Sequence, residues 1–334
     1  MWKAALAVAV LTAALCLAVD LRNARRSGAV DLRSRVVGAR VWLAGRDPYF
    51  HKWHPGMPDR WLDPMDLTGL RVSRVGVTPA VLALHAPFAR VPYPLQQIGW
   101  LALQWALFLG TLALFASAAG SREKARLTWI AGLLLIAPSH CWRLHVERGQ
   151  IHILWPFLFA AAYLLCRREG RAGRFAGGAL LGFTAALRPP VGLFFLPAIL
   201  RRERRLLAGG VLGILAGIAL PAAVSGPGIW RSYARAMSVY GDLHLGRARD
   251  PVDLAEARRI RDRWPATIEG EPAGRMARAL NIPSVDSSLQ AVARQRFGVT
   301  LPPPALAVGL GLVLIGLGWL FLARTRPPTD AGVL

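Results

Sequence analysis

Three groups of polar residues stand beside long apolar stretches of this sequence, where charged side chains are costly and tend to serve a function. The first is Asp31 with the turn at residues 45–49, the second is the segment 140–152, and the third is Arg188 with the two prolines after it. A cation beside a broken helix, as at Arg188, can hold an anionic headgroup such as a phosphate. These groups are therefore the candidates for a site that faces a cavity.

The aspartate and the histidines also have other interpretations. Asp31 can simply be the N-cap of the helix that follows it. His140, His145 and His152 suggest a metal site, but their gaps of five and seven residues and the intervening Gly149 do not place them on one helix face. We therefore do not expect a zinc site.

The arginines have structural alternatives as well. Arg143 and Arg148 can be interfacial residues whose stems lie along apolar surface while their charged ends reach water. Arg188 follows one apolar run and precedes another, and it can pair with a neighbouring carbonyl group instead of a ligand. Both interpretations of these residues stay open from the sequence alone.

Composition indicates the elements that must position these groups. Of the 334 residues 54% are apolar, above the roughly 45–50% of soluble domains, and they form blocks long enough for membrane spans. The net charge of +22 is spread over short loops between the blocks, which disfavours a nucleic-acid-binding protein. The chain has three cysteines, Cys16, Cys141 and Cys166. Their odd number argues against a disulfide framework, and their spacing is not that of metal ligands. The sequence predicts an all-α, polytopic transmembrane helical bundle.

The apolar blocks predict about eight spans and one re-entrant segment. The first span is interpreted as an uncleaved helix and not a signal peptide, because no small-x-small cleavage site is convincing. Thr78–Val91 is too short to cross and contains Pro87, which favours a half-membrane helix. The predicted spans are Trp2–Val19, Pro94–Ala118, Leu127–Pro138, Gln150–Cys166, Phe175–Leu187, Val191–Leu200, Leu206–Val224 and Pro304–Ala323.

The charges of the short loops predict one orientation. Four basic clusters fall on the same side of the alternating spans, and that side is the cytoplasm by the positive-inside rule. The N-terminus is then cytoplasmic, and a first loop (20–77) and a second loop (225–303) face outward from the cell (plasma or inner) membrane. The clusters are Arg122, Lys124 and Arg126; Arg167, Arg168, Arg171 and Arg174; Arg201, Arg202, Arg204 and Arg205; and Arg324 and Arg326.

Within the outer loops we expect two short helices. Asp31–Ala44 mixes valines and a tryptophan with arginines and suits a helix near the membrane surface. Gly45 and Pro48 end it in a turn. Asp250–Arg263 is a strongly charged stretch, expected to be a solvated helix. All of these segments belong to one expected domain, residues 1–334.

The order of these features resembles glycosyltransferase family 87 of the GT-C superfamily, the polyprenol-phosphate-mannose-dependent mannosyltransferases and their relatives. The resemblance covers most of the chain, although no single motif is specific. Ser287 departs from the family's usual Gln in the last element. The matching elements are Val30-Asp31, Gly45 with Asp47-Pro48-Tyr49, Thr78-Pro79-Ala80 through Pro87-Phe88, Gly149-Gln150-Ile151-His152, Leu187-Arg188-Pro189-Pro190, the basic loop Arg201–Arg205, and Ser287-Ser288-Leu289.

The resemblance implies an inverting membrane glycosyltransferase that acts at the outer face. It would move a mannose-like hexose from a polyprenyl-phosphate donor to a glycolipid or glycan of the cell envelope, with Asp31 as the general base. The residues expected to bind the donor phosphate or the substrates are Arg188, Arg148, Arg143, Gln150, His145, His152 and Tyr49. No metal and no cofactor are expected, since the sequence has no Asp-x-Asp pair and no nucleotide-binding glycine-rich loop.

Two functions from other classes compete with this one. A lipid or polysaccharide transporter would also place polar groups at the ends of spans, but the sequence has no evident repeat symmetry between halves. A non-catalytic membrane protein of envelope assembly would need no general base at all. A preparation that neither binds nor hydrolyses a polyprenyl-phosphate sugar would favour the assembly protein.

Overall fold

The computed structural model is an all-α membrane protein with one two-stranded ribbon among the residues it describes, which are 2–66, 70–168, 170–244, 260, 262–269, 271–272, 298–299, 308–309, 311–312 and 316. The chain divides into two compact units, residues 1–281 and 282–334. The helices are α1 (Trp2–Ser27), α2 (Val30–Leu43), α3 (Pro79–His85), α4 (Tyr93–Ala118), α5 (Arg122–Ala131), α6 (His140–Glu147), α7 (Leu154–Arg167), α8 (Arg171–Leu187), α9 (Leu196–Leu200), α10 (Arg204–Ser225) and α11 (Gly228–His244).

Three of the described helices are long and apolar enough to cross a membrane, namely Trp2–Ala24 of α1, Tyr93–Ala118 and Arg204–Ser225. Shorter apolar helical segments lie at Pro79–Phe88, Leu154–Arg167 and Pro189–Leu200. Large apolar side chains on these helices are exposed, as at Leu11 and Leu15 of α1, which suits contact with lipid chains. The number of about eight spans stays a prediction.

Several predicted elements are present with small shifts of their ends. The segment expected to cross half of the membrane is α3 followed by a short 3₁₀ turn, Ala86–Phe88, and the helix after Asp31 is α2. The segment expected to span at Leu127–Pro138 is α5 continued by a π-helical turn at Gly132–Ile136. The last span (Pro304–Ala323), the charged helix (Asp250–Arg263), Ser287-Ser288-Leu289 and the cluster Arg324 and Arg326 lie largely or wholly outside the described residues.

Helix α1 runs further than the predicted end at Val19. Asp20, expected to open the outer loop, lies within the helix and is 2% exposed. Its carboxylate accepts hydrogen bonds from the indole nitrogens of Trp105 and Trp142, at 3.1 Å each. Because these donors satisfy the buried carboxylate, the helix continues past it to Ser27. The contact also ties α1 to α4 and α6.

Helices α8 and α10 approach each other through glycines. A Cβ atom added at Gly182 would lie 2.0 Å from the carbonyl oxygen of Gly210, and one at Gly213 would lie 2.0 Å from that of Ala179. Small residues four apart let two membrane helices pack backbone to backbone. This packing fixes the carboxyl end of α8, where Thr78 donates a hydrogen bond to the carbonyl of Leu187, at 3.1 Å.

Helix α2 is covered on all sides, whereas the sequence suggested a helix at the membrane surface. Its arginines Arg33 and Arg40 are 1% and 6% exposed. Both form ion pairs of 2.7 Å with Glu269, which follows strand β1 (Thr267–Ile268) in an antiparallel pair with β2 (Glu271–Pro272). Paired arginines are compatible with burial, so the pattern of charges did not mark an exposed face.

Candidate active site

Asp31 lies in the first turn of α2, and the residues that join α1 to α2 are held in place by hydrogen bonds. Ala29 adopts a left-handed conformation with φ of 47°, and the hydroxyl of Tyr93 donates hydrogen bonds to the carbonyls of Gly28 and Ala29, at 2.6 and 3.0 Å. The backbone N–H of Asp31 donates to the carbonyl of Arg148, at 2.8 Å. The start of α2 is therefore held against the turn that joins α6 to α7.

The carboxylate of Asp31 is held by three side chains. Arg148 donates from Nε to Oδ2 at 2.9 Å and from Nη2 to Oδ1 at 3.2 Å. Arg74 donates to Oδ1 at 2.6 Å, and Gln150 to Oδ2 at 3.4 Å. The residue at the N-cap of α2 is Ala29, and the helix end has no side-chain cap. The simple N-cap interpretation of Asp31 is therefore wrong.

These cations determine the charge of Asp31. Burial acts to raise the pKa of the carboxyl, but the hydrogen bond from Arg148 and the charges of Arg74, Arg148 and Arg35 outweigh it and lower the pKa below its usual value. The side chain of Asp31 is about one-fifth exposed. Asp31 is thus an ionised carboxylate that a ligand at the surface can reach.

Arg74 and Arg35 are two residues of this cluster that sequence reasoning missed. Arg74 also donates to the carbonyl of Val30, at 3.1 Å. Arg35 is 4% exposed, donates to the carbonyl of Gly149, and lies with its guanidinium 5.3 Å from the centre of the Trp100 ring. Both stand in arginine-rich stretches, so the sequence offered no signal that separated them from their neighbours.

The turn between α6 and α7 depends on Gly149. Its φ is +65°, and a Cβ atom there would lie 2.9 Å from the Cβ of Leu32 and 3.0 Å from that of Ala29. The carbonyl of Gln150 accepts hydrogen bonds from Gln104 at 2.8 Å and from Trp100 at 3.4 Å. Glycine at 149 therefore allows α2 and this turn to meet at the distance that brings Asp31 to Arg148.

Arg188 and His152 form the second part of the cluster. The Nδ1 atom of His152 lies 3.0 Å from Nη1 of Arg188 and 3.3 Å from the indole nitrogen of Trp155. Both neighbours can only donate, so Nδ1 is the acceptor and the proton of this neutral imidazole is on Nε2. Burial and the charge of Arg188 lower the pKa of His152. The pair offers an exposed cation and an N–H donor side by side.

His145 is buried and neutral. Its ring stacks on Trp142, with centres 5.6 Å apart, and lies 6.1 Å from the ring of His152. Burial and the charge of Arg35 lower the pKa of His145 to about 4. Its Nε2 has no hydrogen-bond partner among the described residues.

Two of the expected site residues lie elsewhere. Arg143 is exposed on α6, and its charge acts on Asp20. Tyr49 is fully buried, its hydroxyl donates to the carbonyl of Val77 at 2.9 Å, and its ring packs against Tyr233. The structure thus brings together Asp31, Arg148, Gln150, His145, His152 and Arg188, but not Arg143 or Tyr49.

An apolar groove of about 420 Å³ lies beside the cluster. Leu32 and Ile151, the sequence neighbours of Asp31 and Gln150, line it together with Trp100. It continues along α4 from Leu95 to Leu107, which corresponds to about 18 Å of helix at 1.5 Å per residue. A long hydrocarbon chain fits such a surface better than a soluble substrate does.

Comparison with protein-family models matches residues 78–334 to Glycosyltransferase family 87. The chain belongs to this family. No curated protein and no solved structure matches the chain. Family 87 is a family of glycosyltransferases, so the assignment to this family is confirmed, and the transferase is favoured over the transporter and the assembly protein.

The family match includes two arginines and the histidines of the site but not its carboxylate or its other two arginines, Arg35 and Arg74. Arg148, His152 and Arg188 fall within residues 78–334, whereas Asp31 and Arg74 precede them. Asp31 is joined to the matched region by its contacts with Arg148 and Gln150. The family assignment and the role of Asp31 therefore rest on separate observations.

Proposed function

We propose that this family-87 protein transfers a hexose from a polyprenyl-phosphate donor to a hydroxyl group of an envelope glycolipid or glycan. The observation that supports it most is the position of the Asp31 cluster: an ionised carboxylate and several cations lie beside an apolar groove that Leu32 and Ile151, neighbours of cluster residues in the sequence, help to line. The groove suits the polyprenyl chain, and the cations suit its phosphate. A mannose-like sugar is proposed from the family resemblance.

In the proposed reaction Asp31 accepts the proton of the acceptor hydroxyl as that oxygen bonds to the anomeric carbon. The bond from the anomeric carbon to the phosphate oxygen breaks, and the polyprenyl phosphate leaves with the electron pair. Attack opposite the leaving group inverts the anomeric configuration. A positioned base of this kind contributes about 10²–10⁴-fold to a rate.

Arg188 and Arg148 would stabilise the charge that develops on the leaving phosphate. Preorganised donors aimed at developing charge are effective where water is excluded. The Nε2–H of His152, whose position is set by Arg188 and Trp155 at Nδ1, is a further donor for the phosphate or the acceptor. The buried, neutral His145 would support the ring of His152 and bind no anion by charge.

We further propose that the protein crosses the cell membrane several times, with this site on the outer face and the basic clusters on the cytoplasmic face. Residues of the two outer loops support this arrangement, because Glu269 of the second loop pairs with the buried arginines of α2 in the first. A donor carried in the lipid phase would reach the site from the side of the groove.

The experiment that tests the function is transfer in proteoliposomes that contain the purified full-length protein. Radiolabelled mannose, glucose and arabinose are supplied in turn as polyprenyl-phosphate sugars and as nucleotide sugars, with envelope glycolipid extract as the acceptor. The proposal predicts transfer only from the lipid-linked form. Transfer from a nucleotide sugar alone would contradict the donor, and the acceptor-bound product gives the anomeric configuration directly.

A further inference from the structure

The resting arrangement of Asp31 does not suit a base. Both carboxylate oxygens already accept hydrogen bonds, Oδ1 from Arg74 and Arg148, and Oδ2 from Arg148 and Gln150. A general base needs an oxygen lone pair directed at the acceptor hydroxyl. One of these donors must therefore leave before Asp31 can take a proton.

The two arginines differ in how firmly they are held. The guanidinium of Arg74 also donates to the carbonyl of Val30 at 3.1 Å and lies 3.9 Å from the carboxylate of Asp63. Its backbone carbonyl accepts the hydroxyl of Ser34, at 3.1 Å. The side chain of Arg74 therefore has two partners besides Asp31, its backbone is held by Ser34, and its side chain is 22% exposed.

Among the described residues, the side chain of Arg148 is held only through the carboxylate of Asp31. Its side chain is 37% exposed, and within the described part of the chain both of its side-chain hydrogen bonds go to the carboxylate. Its backbone is fixed separately, because its carbonyl accepts the N–H of Asp31. The side chain can therefore turn away from Asp31 without moving the start of α2 or the turn between α6 and α7.

We propose that Arg148 exchanges partners, leaving Asp31 for the phosphate of the donor, while Arg74 stays as a positioning residue that keeps the carboxylate in place. This inference rests on the proposed function. A guanidinium binds phosphate and carboxylate with the same two-point geometry, so a phosphate at the groove competes directly for Arg148. Because Arg148 donates to both oxygens, donor binding frees one lone pair on each oxygen of Asp31 and makes Asp31 a stronger base only when the donor is present.

Other charged groups around Asp31 keep their places in this exchange. Arg35 is buried against Trp100 and bound to the turn, and Gln150 is uncharged. The groups whose charges act on Asp31, or that Asp31 acts on, are Arg74, Arg148, Arg35, Asp63, His145 and His152. Arg148 is the cation among them that combines exposure with a side chain bound only to Asp31.

The test is a double-mutant cycle on phosphate binding, measured by calorimetry with the full-length protein in maltoside micelles. Dodecyl phosphate and inorganic phosphate are the probes. Asp31→Asn removes the competitor for Arg148, so we expect it to bind dodecyl phosphate about fivefold more tightly than wild type, the value of one ion pair of this exposure. The gain should vanish in the Arg148→Gln background and persist in the matched Arg74→Gln background.

Each result has one meaning. A gain that persists with Arg148→Gln, or that vanishes only with Arg74→Gln, would overturn the exchange and leave the proposed function intact. No binding of dodecyl phosphate to wild type would overturn both. A preference for dodecyl phosphate over inorganic phosphate supports a lipid headgroup as the ligand, whereas equal affinity overturns the role of the groove in this exchange.

The pH dependence of kcat and of kcat/KM distinguishes an exchange of partners by Arg148 from a purely structural role of this residue. With Arg148 on the phosphate, the acid limb of kcat should lie at higher pH than that of kcat/KM, which reports the free enzyme. Arg148→Gln should bring the two limbs together, while Arg74→Gln should keep them apart. Arg148→Lys, which retains the charge, should restore part of the separation, and limbs that coincide in the wild type would contradict the exchange.

Discussion

Gly149 is the position where one added methyl group tests how the site is built. Gly149→Ala places an L residue at φ of +65°, which costs about 1–2 kcal/mol. The new Cβ would also lie 2.9 Å from the Cβ of Leu32 and 3.0 Å from that of Ala29. Those atoms move only with the backbone of α2, so overpacking adds about 1–3 kcal/mol.

Gly120 provides a matched control. Its φ is +73°, and a Cβ there would meet nothing within 4 Å. Gly120→Ala should therefore lose only the conformational part, about 1–2 kcal/mol. The free energy of unfolding of both variants would be measured in mixed detergent micelles, together with sugar transfer.

We expect Gly149→Ala to be the less stable variant and to lose at least about 10²-fold in transfer, because a displacement near 1 Å at the site has that effect. Gly120→Ala should keep its activity. If the two variants were equally stable and equally active, the close approach of α2 to the turn would not determine the geometry of the site.

Three further predictions concern charges. The pKa of Asp31 is lower in the folded protein than in the unfolded chain, where it is about 3.8. The ionised carboxylate therefore stabilises the fold above pH 3.8, and this stabilisation is lost as the pH falls through the folded-state pKa. The difference in unfolding free energy between wild type and Asp31→Asn should be constant from pH 8 to 5 and shrink only in more acid solution. Asp20→Leu leaves two buried indole N–H groups unpaired and should cost about 2–4 kcal/mol in the same unfolding assay, whereas Asp20→Asn, which keeps an acceptor oxygen, should cost less than half of that. Glu269→Gln removes the counter-charge of two buried arginines of α2 and should cost about 3 kcal/mol; thermal unfolding equal to wild type would show that those arginines need no carboxylate.

Much of the fold follows from local patterns in the sequence. The apolar run and prolines at 78–91 indicated a helix too short to cross, and α3 with its 3₁₀ turn is such a helix. The Asp31 helix ends within one residue of its predicted end, since Gly45 stops it. Arg188 was found because it interrupts an apolar run, and Gly149 because it lies in the polar segment 140–152; neither signal needs tertiary information.

The partners of these residues could not be found in the same way. Arg74 reaches Asp31 across 43 residues of chain, and nothing in its neighbourhood distinguishes it from Arg71. Asp20 looked like the first polar residue of a loop because its two indole donors come from α4 and α6. Tyr49 was assigned to the site through its motif, although its hydroxyl is used by a backbone carbonyl. Contacts of this kind depend on packing, which a single sequence does not encode locally.

The most direct test of the account is sugar transfer by Asp31→Asn in proteoliposomes, measured alongside its affinity for the polyprenyl-phosphate donor. Glu123→Gln, which removes an exposed carboxylate on α5 outside the site, is the control. The account predicts that Asp31→Asn binds the donor at least as well as wild type but transfers its sugar about 10²–10⁴-fold more slowly, while the control is unaffected. Transfer by Asp31→Asn at the wild-type rate would contradict the assignment of Asp31 as the base.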